Sequence, residues 1–261
     1  MIESALNRIL QPGAITPVYQ PIFRLGGGQA ILPVHSGQAG LPVLHGVECL
    51  SRGPRGTNFE AADVLFEYVR LKREESLVDR ACIAAAFRGA SALPSTLRLG
   101  VNVHASTLGR DHGFIAFLEA TAAATGIALE RVVIEVIEHA PPWDGISFQS
   151  TLEQLRQLGM AIALDDVGLG QSNFKMLLDV RPDYLKLDRY FVDGCSTDRH
   201  RRAVITALRT LARDFDAEIV AEGVERAEDA ATLQGLGITL MQGFHFSEPL
   251  ALDAARAFCA A

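Results

Sequence analysis

The chain has 261 residues and a formal net charge of −7, with 49% hydrophobic and 21% charged residues. This length suffices for one large core, and the composition is that of a globular protein and not of a disordered or fibrous one. The acidic balance argues against a nucleic-acid duplex as partner, because duplex binding requires an excess of Lys and Arg, whereas a small anion held through metal ions remains compatible.

Cysteine spacing and the N-terminal residues predict a cytoplasmic protein. The four cysteines are widely separated and form no CxxC pair, so we expect reduced thiols and neither a zinc site nor a disulfide framework. No segment has the length and apolarity of a membrane span, and the first residues lack the pattern of a signal peptide. We therefore expect no membrane association.

The first part of the chain predicts a helix and a hairpin. Residues 1–15 carry apolar side chains at helical spacing, which is typical of a packing helix. Strands are predicted at 17–25 and 43–50, and they form an antiparallel hairpin around an enlarged loop at 26–42, which begins with three glycines. Residues 62–87 then predict two successive helices, a small helical insertion after the second strand.

The rest of the chain alternates between strands and helices. Amphipathic helices are predicted at 114–124, 146–158, 201–215 and 227–236. Apolar strands are predicted at 97–103, 132–137, 161–164, 184–187, 218–221 and 239–242. Eight strands interleaved with helices in a chain of this length favour one α/β domain over residues 1–261, a TIM-type (β/α)8 barrel, with a doubly wound open sheet as the structural alternative.

Polar residues stand where the predicted strands end. A single carboxylate at a strand end usually faces solvent or caps the next helix. In a barrel, however, the carboxyl ends of the parallel strands surround one pocket, so side chains from successive strands would meet there. From the second strand to the eighth, these residues are Glu48, Asn102, Glu135, Asp165 with Asp166, Lys186 with Asp188, Glu222 and Gln242.

Such a concentration of carboxylates predicts a metal centre. Several negative charges in one pocket are unfavourable unless cations lie between them. Oxygen ligands without Cys or His select hard cations, Mg²⁺ or Mn²⁺, and the adjacent Asp165 and Asp166 suit a pair of ions. Two ions can bind one phosphate, activate a water and stabilise the departing oxygen, so the pattern predicts hydrolysis of a phosphoester.

A series of short motifs runs through the whole chain. They are YQPI (19–22), GVECLSR (46–52), VNVH (101–104), IEVIE (134–138), DDVGLGQSN (165–173), LKLD (185–188), AEGVE (221–225) and QGFHFSEP (242–249). In this order they resemble the motifs of the EAL-domain cyclic di-GMP phosphodiesterases. The resemblance implies a barrel that opens cyclic di-GMP to linear pGpG with two Mg²⁺ or Mn²⁺ ions, while Ca²⁺ is expected to support binding without turnover.

The resemblance also implies a role for each matching residue. Lys186 would contact the attacking water, and Glu138 would steady the loop after the fifth strand. The first metal would be bound by Glu48, Asn102, Glu135 and Asp165, and the second by Asp165, Asp166 and Glu222. Glu48, Lys186 and Glu222 would be the catalytic residues, and Gln20, Arg52, Asp188 and Gln242 would hold the substrate.

Two departures from the family pattern bear on activity. Cys49 replaces the alanine that gives the family its name, and its side chain should point away from Glu48 along the strand. In the loop after the fifth strand, Val167, Leu169 and Gln171 replace Phe, Thr and Tyr. Because Leu169 cannot make the hydroxyl bond of a threonine, we expect the second metal site to be weakened or to depend on a partner.

Three functions remain open on the sequence alone. The first is an active phosphodiesterase, the second a catalytically silent receptor that binds cyclic di-GMP and signals through a protein partner, and the third an interaction domain without the nucleotide. The retained acidic cluster speaks against the third. The resemblance also implies a homodimer, and we expect regulation through dimerisation, a protein partner or a further domain.

Overall fold

The predicted strands close into a single barrel in this computed structural model. The structure describes residues 5–26, 42–137, 145–168 and 174–260. Each strand pairs with its neighbours in chain order, and β1 also pairs with β8, so the open-sheet alternative is wrong and the (β/α)8 barrel is confirmed. The strands are β1 (Thr16–Arg24), β2 (Val43–Arg52), β3 (Arg98–His104), β4 (Val132–Ile137), β5 (Ala161–Leu164), β6 (Tyr184–Leu187), β7 (Glu218–Ala221) and β8 (Leu240–Met241).

Helices follow the strands and cover the outside of the barrel. The helix near the N-terminus begins at Ala5 and ends at Ile9, shorter than the predicted segment 1–15, whose residues 1–4 lie outside the described part. Within the described residues, the helices are α1 (Ala5–Ile9), α2 (Ala62–Lys72), α3 (Glu75–Ala90), α4 (Ala105–Arg110), α5 (Phe114–Thr125), α6 (Gly145–Gln157), α7 (Phe174–Val180), α8 (Arg189–Val192), α9 (Arg199–Asp214), α10 (Ala227–Gly235) and α11 (Leu252–Ala260).

The first strand runs opposite to the rest of the sheet. β1 is antiparallel to both β2 and β8, whereas the other neighbouring strands pair in parallel, as the predicted hairpin requires. The β1–β2 register shifts after Ile22, which marks a bulge at the end of the barrel away from the strand carboxyl ends. The predicted loop 26–42 lies outside the described residues over 27–41.

The barrel interior changes from apolar to charged along its axis. Ile22, Val220 and Leu240 form a buried cluster at the lower end. Above them the inward positions carry Glu135 and Lys186, both buried. Apolar side chains on the other face of each strand pack against the helices in the main core. The fold therefore supplies a rigid apolar wall around a charged mouth.

The two helices between β2 and β3 carry a second core. Apolar side chains from α1, α2 and α3 pack together beside the barrel, which confirms the predicted helical insertion.

Among the described residues, no helix is both long enough and apolar enough to cross a membrane.

A buried carboxylate on α10 fixes the segment that follows α8. Asp229 accepts hydrogen bonds from the backbone N–H groups of Ser196 (2.8 Å) and Gly194 (3.1 Å) and from the Arg226 guanidinium (2.9 Å). Burial opposes ionisation of this group, but the hydrogen bonds outweigh it and lower the pKa of Asp229 to about 2. The ionised form is therefore the one that stabilises the fold.

We expect Asp229→Asn to lower the free energy of unfolding by about 2 kcal/mol near neutral pH. The native pKa lies below the unfolded value, so this contribution is complete above about pH 4 and disappears as the pH falls toward about 2. Urea unfolding of both proteins at pH 7, 4 and 3 measures it. Equal differences at all three pH values would contradict the assignment.

Candidate active site

Strand register brings the predicted polar residues to one end of the barrel. Gln20 on β1 lies opposite Glu48 on β2, and Asn102 on β3 lies opposite Glu135 on β4. Side chains of alternate residues point to the same face of a strand, so these four share the barrel interior. The space for Glu135 comes from Gly100, where a Cβ atom would lie 1.8 Å from Glu135 Oε1.

The centre of the mouth is occupied by the Lys186 ammonium group. Its Nζ lies 2.5 Å from Glu135, 2.7 Å from Glu222, 3.2 Å from Glu48 and 3.4 Å from Asp165. Burial disfavours the charged ammonium, but these carboxylates outweigh burial and hold the pKa of Lys186 well above its usual value. One cation thus faces four acids.

Two side-chain amides orient the Glu48 carboxylate. Asn102 Nδ2 donates to Oε1 (2.8 Å), and Gln242 Nε2 donates to Oε2 (2.7 Å) and also to Gln20 Oε1 (2.9 Å). Burial favours the neutral acid, but Lys186 and the two amides lower the pKa of Glu48. Glu48 is therefore an ionised acceptor whose two oxygens are both engaged.

The amide oxygens of Asn102 and Gln242 accept no hydrogen bond within the described residues. Among the described residues, Asn102 Oδ1 and Gln242 Oε1 are buried and have no hydrogen-bond partner. An unsatisfied buried acceptor is unfavourable by about 1–3 kcal/mol. Asn102 thus presents a bare oxygen at the position where the sequence predicts a metal ligand.

A second group of acids lies beside the first. Oxygens of Asp165, Asp166 and Glu222 all lie within 4.8 Å of one another. Asp166 adopts a left-handed backbone conformation with φ 51°, which Asp tolerates better than most residues, and its N–H donates to Asp165 Oδ1 (3.0 Å). The turn after β5 therefore directs two successive carboxylates toward Glu222.

Unlike Glu48, the other four acids of the mouth resist ionisation. Burial raises the pKa of Glu135 to about 8 despite the neighbouring Lys186, and burial with the charges of Asp165 and Asp188 raises the pKa of Asp166 to about 6. Burial likewise raises the pKa of Asp165, and that of Glu222 well above its usual range. Lys186 alone does not balance the negative charge of the cluster.

These residues fit hard divalent cations. The donor set is carboxylate and amide oxygen, the acids outnumber the one central cation, and Asn102 Oδ1 is buried without a protein partner among the described residues. Oxygen donors of this kind suit Mg²⁺, Mn²⁺ or Ca²⁺. The arrangement can bind an anionic ester whose charge the cations offset.

The remaining predicted substrate residues line the edge of the mouth. Gln20 is buried beside Gln242, and its Nε2 donates to Ser247 O (3.4 Å). Arg52 borders a cavity of about 240 Å³ whose wall includes Glu48, and its guanidinium donates to Ser51 O (3.1 Å). Asp188 caps α8 by accepting from Tyr190 N (2.6 Å), so part of its hydrogen-bonding capacity is used within the protein.

The altered loop after β5 is described only at its beginning. Val167 is buried, and its N–H donates to Lys186 O (3.2 Å), which fixes the start of the loop to β6. Glu138, Leu169 and Gln171 lie outside the described residues.

Sequence reasoning missed two buried residues near the site, Asp79 on α3 and His104 at the end of β3. Asp79 Oδ1 lies 2.8 Å from His104 Nδ1. His104 belongs to the VNVH motif, but the apolar and charged pattern of α3 gives no signal that Asp79 is buried.

The family follows from comparison with known proteins. The sequence pattern of the EAL domain matches residues 3–249. The chain belongs to the EAL domain family. Among its relatives, the probable cyclic di-GMP phosphodiesterase PdeG of Escherichia coli K12 is 30% identical over 257 residues, or 95% of this chain. This EAL chain spans less than half the length of the curated relatives that it matches first, and 47% of PdeG.

Solved EAL structures share the fold. A standalone EAL protein of Vibrio cholerae O395, in a c-di-GMP-bound form, superposes with a TM-score of 0.77 and 25% identity over 91% of this chain and 93% of that chain. Klebsiella pneumoniae BlrP1, in a complex with calcium and cyclic di-GMP, gives a TM-score of 0.74 and 26% identity over 97% of this chain and 59% of that chain.

Proposed function

We propose that this EAL domain hydrolyses cyclic di-GMP to linear pGpG with two divalent cations, Mg²⁺ or Mn²⁺. The observation that carries the proposal is the convergence of the acids around Lys186 with the bare Asn102 Oδ1 beside them. The names of PdeG and of the two solved relatives point to the same ligand. We treat residues 1–261 as one EAL barrel domain, and its free cysteines favour the cytoplasm.

The proposal assigns each ligand to one of two cations. Glu48, Asn102, Glu135 and Asp165 would hold the first cation, and Asp165, Asp166 and Glu222, whose oxygens lie within 4.8 Å of one another, would hold the second. When bound, the cations supply Lewis-acid charge that favours attack by water and departure of the alkoxide oxygen. Glu48, Lys186 and Glu222 form the catalytic group.

The chain's own side chains hold the reactants. In this proposal Lys186 orients the attacking water through its ammonium hydrogens and stabilises the charge that develops on it. Arg52 binds a phosphate through its planar guanidinium, and Gln20 contacts a guanine edge. Asp188 and Gln242 complete the substrate pocket, and Glu138 steadies the loop after β5.

Turnover and binding measured side by side test the function. Purified protein with Mn²⁺ or Mg²⁺ should convert cyclic di-GMP to pGpG, and chelation should stop the reaction. With Ca²⁺, calorimetry should detect binding of cyclic di-GMP without product. Tight binding but no product with any metal would indicate a silent receptor that acts through a regulatory protein partner, and no binding at all would indicate an interaction domain. Either result overturns the proposed hydrolysis.

We propose further that the domain forms a homodimer through α7. Phe174 and Leu178 lie one turn apart on this helix and are 72% and 63% exposed. Large apolar side chains exposed together are typical of an interface.

Sedimentation should therefore show a dimer that Phe174→Glu with Leu178→Glu converts to a monomer. Leu71→Glu on α2, at a site 72% exposed, is the matched control and should leave the dimer intact. A monomeric wild-type protein would contradict the proposed dimer, and the exposed apolar surface of α7 would then indicate a partner protein.

A further inference from the structure

The end of β3 is held by a carboxylate from another element. Asp79 on α3 is 1% exposed. Its Oδ2 accepts from His104 N (3.0 Å) and from the Thr107 hydroxyl (2.5 Å), and its Oδ1 lies 2.8 Å from His104 Nδ1. One buried side chain therefore binds the last residue of β3 and the first turn of α4.

The His104 side chain is directed to Asp79 and does not cap α4. His104 precedes the first residue of α4, but its side chain makes no hydrogen bond to the N–H groups of that helix. Its imidazole instead turns to Asp79 and lies against the Phe66 ring, with the ring centroids 5.8 Å apart. The chain direction at the strand end is thus fixed by α3 and α2.

The contact between Asp79 and His104, called the anchor below, holds β3 two residues after Asn102. Asn102 Nδ2 is fixed by Glu48 Oε1, which leaves Oδ1 as the buried oxygen that faces the proposed first cation. Its direction depends on the backbone of β3, which pairs with β4 as far as His104 and is held there by Asp79 as well, through the hydrogen bond from His104 N. A metal ligand must be held to within about half an ångström, so the anchor bears directly on Asn102.

We propose that Asp79 and His104 are positioning residues that fix the end of β3 so that Asn102 Oδ1 is directed at the metal position. The inference rests on the proposed function, because Asn102 is a proposed metal ligand. It assigns a role to α3 in addition to packing: α3 sets the affinity of the first cation site without touching the ion.

The first test is calorimetric titration with Mn²⁺ alone, supported by the spin-resonance signal of bound Mn²⁺. Asp79→Asn keeps the size of the side chain but leaves one acceptor oxygen, so an NH₂ group must face either His104 Nδ1 or the pair formed by His104 N and the Thr107 hydroxyl. We expect it to weaken Mn²⁺ binding by about tenfold. Circular dichroism without metal checks that the variant is folded before Mn²⁺ is added, and saturating Mn²⁺ should then restore the rate constant at high substrate.

The second test uses a pair of variants at His104. The amide Nδ2 of an asparagine can stand where the imidazole Nδ1 now donates, so His104→Asn should stay within about threefold of wild type, whereas His104→Ala should lose about tenfold in Mn²⁺ affinity. This pair decides the question even if Asp79→Asn does not fold.

Asp229→Asn is the matched control, because Asp229 is an equally buried acid that binds two backbone N–H groups elsewhere in the barrel. It should lower the melting temperature while Mn²⁺ affinity stays within about threefold of wild type. The positioning role is overturned if folded Asp79→Asn and His104→Ala bind Mn²⁺ like wild type, or if Asp229→Asn loses as much affinity. Absence of Mn²⁺ binding by wild type would instead overturn the proposed function.

Discussion

Replacing Glu48 by glutamine is expected to lower the rate of pGpG formation by about 10³-fold. Both oxygens of this carboxylate accept amide hydrogens, from Asn102 on one side and from Gln242 on the other. A glutamine has one acceptor oxygen, so one of the two amides would face an NH₂ group in a buried site. The variant also removes one negative charge from the proposed first cation position.

The measurement is the initial rate of pGpG formation, followed by chromatography at matched Mn²⁺ concentrations. Circular dichroism on the same samples checks that the barrel has formed. Glu218→Gln is the control: Glu218 lies at the opposite end of a strand, is paired with Arg24, and should leave the rate within about twofold of wild type. A Glu48→Gln enzyme that keeps more than about a tenth of the activity would contradict the assigned role.

The architecture could be predicted because periodicity records burial. In parallel strands covered on both faces, apolar residues run almost continuously, and this pattern located the segments that became β4, β5, β6 and β7. The eighth strand is predicted at 239–242, whereas Leu240–Met241 alone form it in the structure. Strand ends are set by tertiary contacts, which a single sequence does not record.

The sequence could predict which residues form the site, but not the hydrogen bonds and ion pairs that they make with one another. Polar residues at successive strand ends identified Glu48, Asn102, Glu135 and Lys186, since a barrel brings such ends together. That one ammonium group faces four acids, or that Gln242 joins two strands through one amide, depends on register and rotamer. These are properties of the packed state.

The sequence does not predict the role of Asp79, which supports the site without lining it, for a different reason. Asp79 stands in a helix whose other charged residues reach solvent, and a charged residue in an amphipathic helix usually does so. Its burial is decided by the first turn of α4 and by the position of His104, 25 residues along the chain. No spacing rule links the two positions.

Removing the ammonium group of Lys186 should affect the thermal stability of the barrel as strongly as its activity. Lys186→Met keeps the bulk of the side chain but leaves Glu48, Glu135, Asp165 and Glu222 without their common positive partner. Removing one partner of a buried ion pair lowers the free energy of unfolding by about 3–5 kcal/mol. In EDTA, the melting temperature should therefore fall by about 10 °C.

The pH dependence of the Lys186→Met variant distinguishes lost charge from lost packing. Without the ammonium group, burial and mutual repulsion leave the acids with raised pKa values in the folded state, so folding takes up protons and the variant gains stability as the pH falls. The deficit in the free energy of unfolding should thus shrink from pH 8 to pH 5, and Mn²⁺ should reduce it at pH 8. Lys175→Met, at a position 78% exposed and paired with Asp179, should stay within about 0.5 kcal/mol of wild type. If Lys186→Met in EDTA matched that control, the acids would not depend on Lys186 for their charge balance.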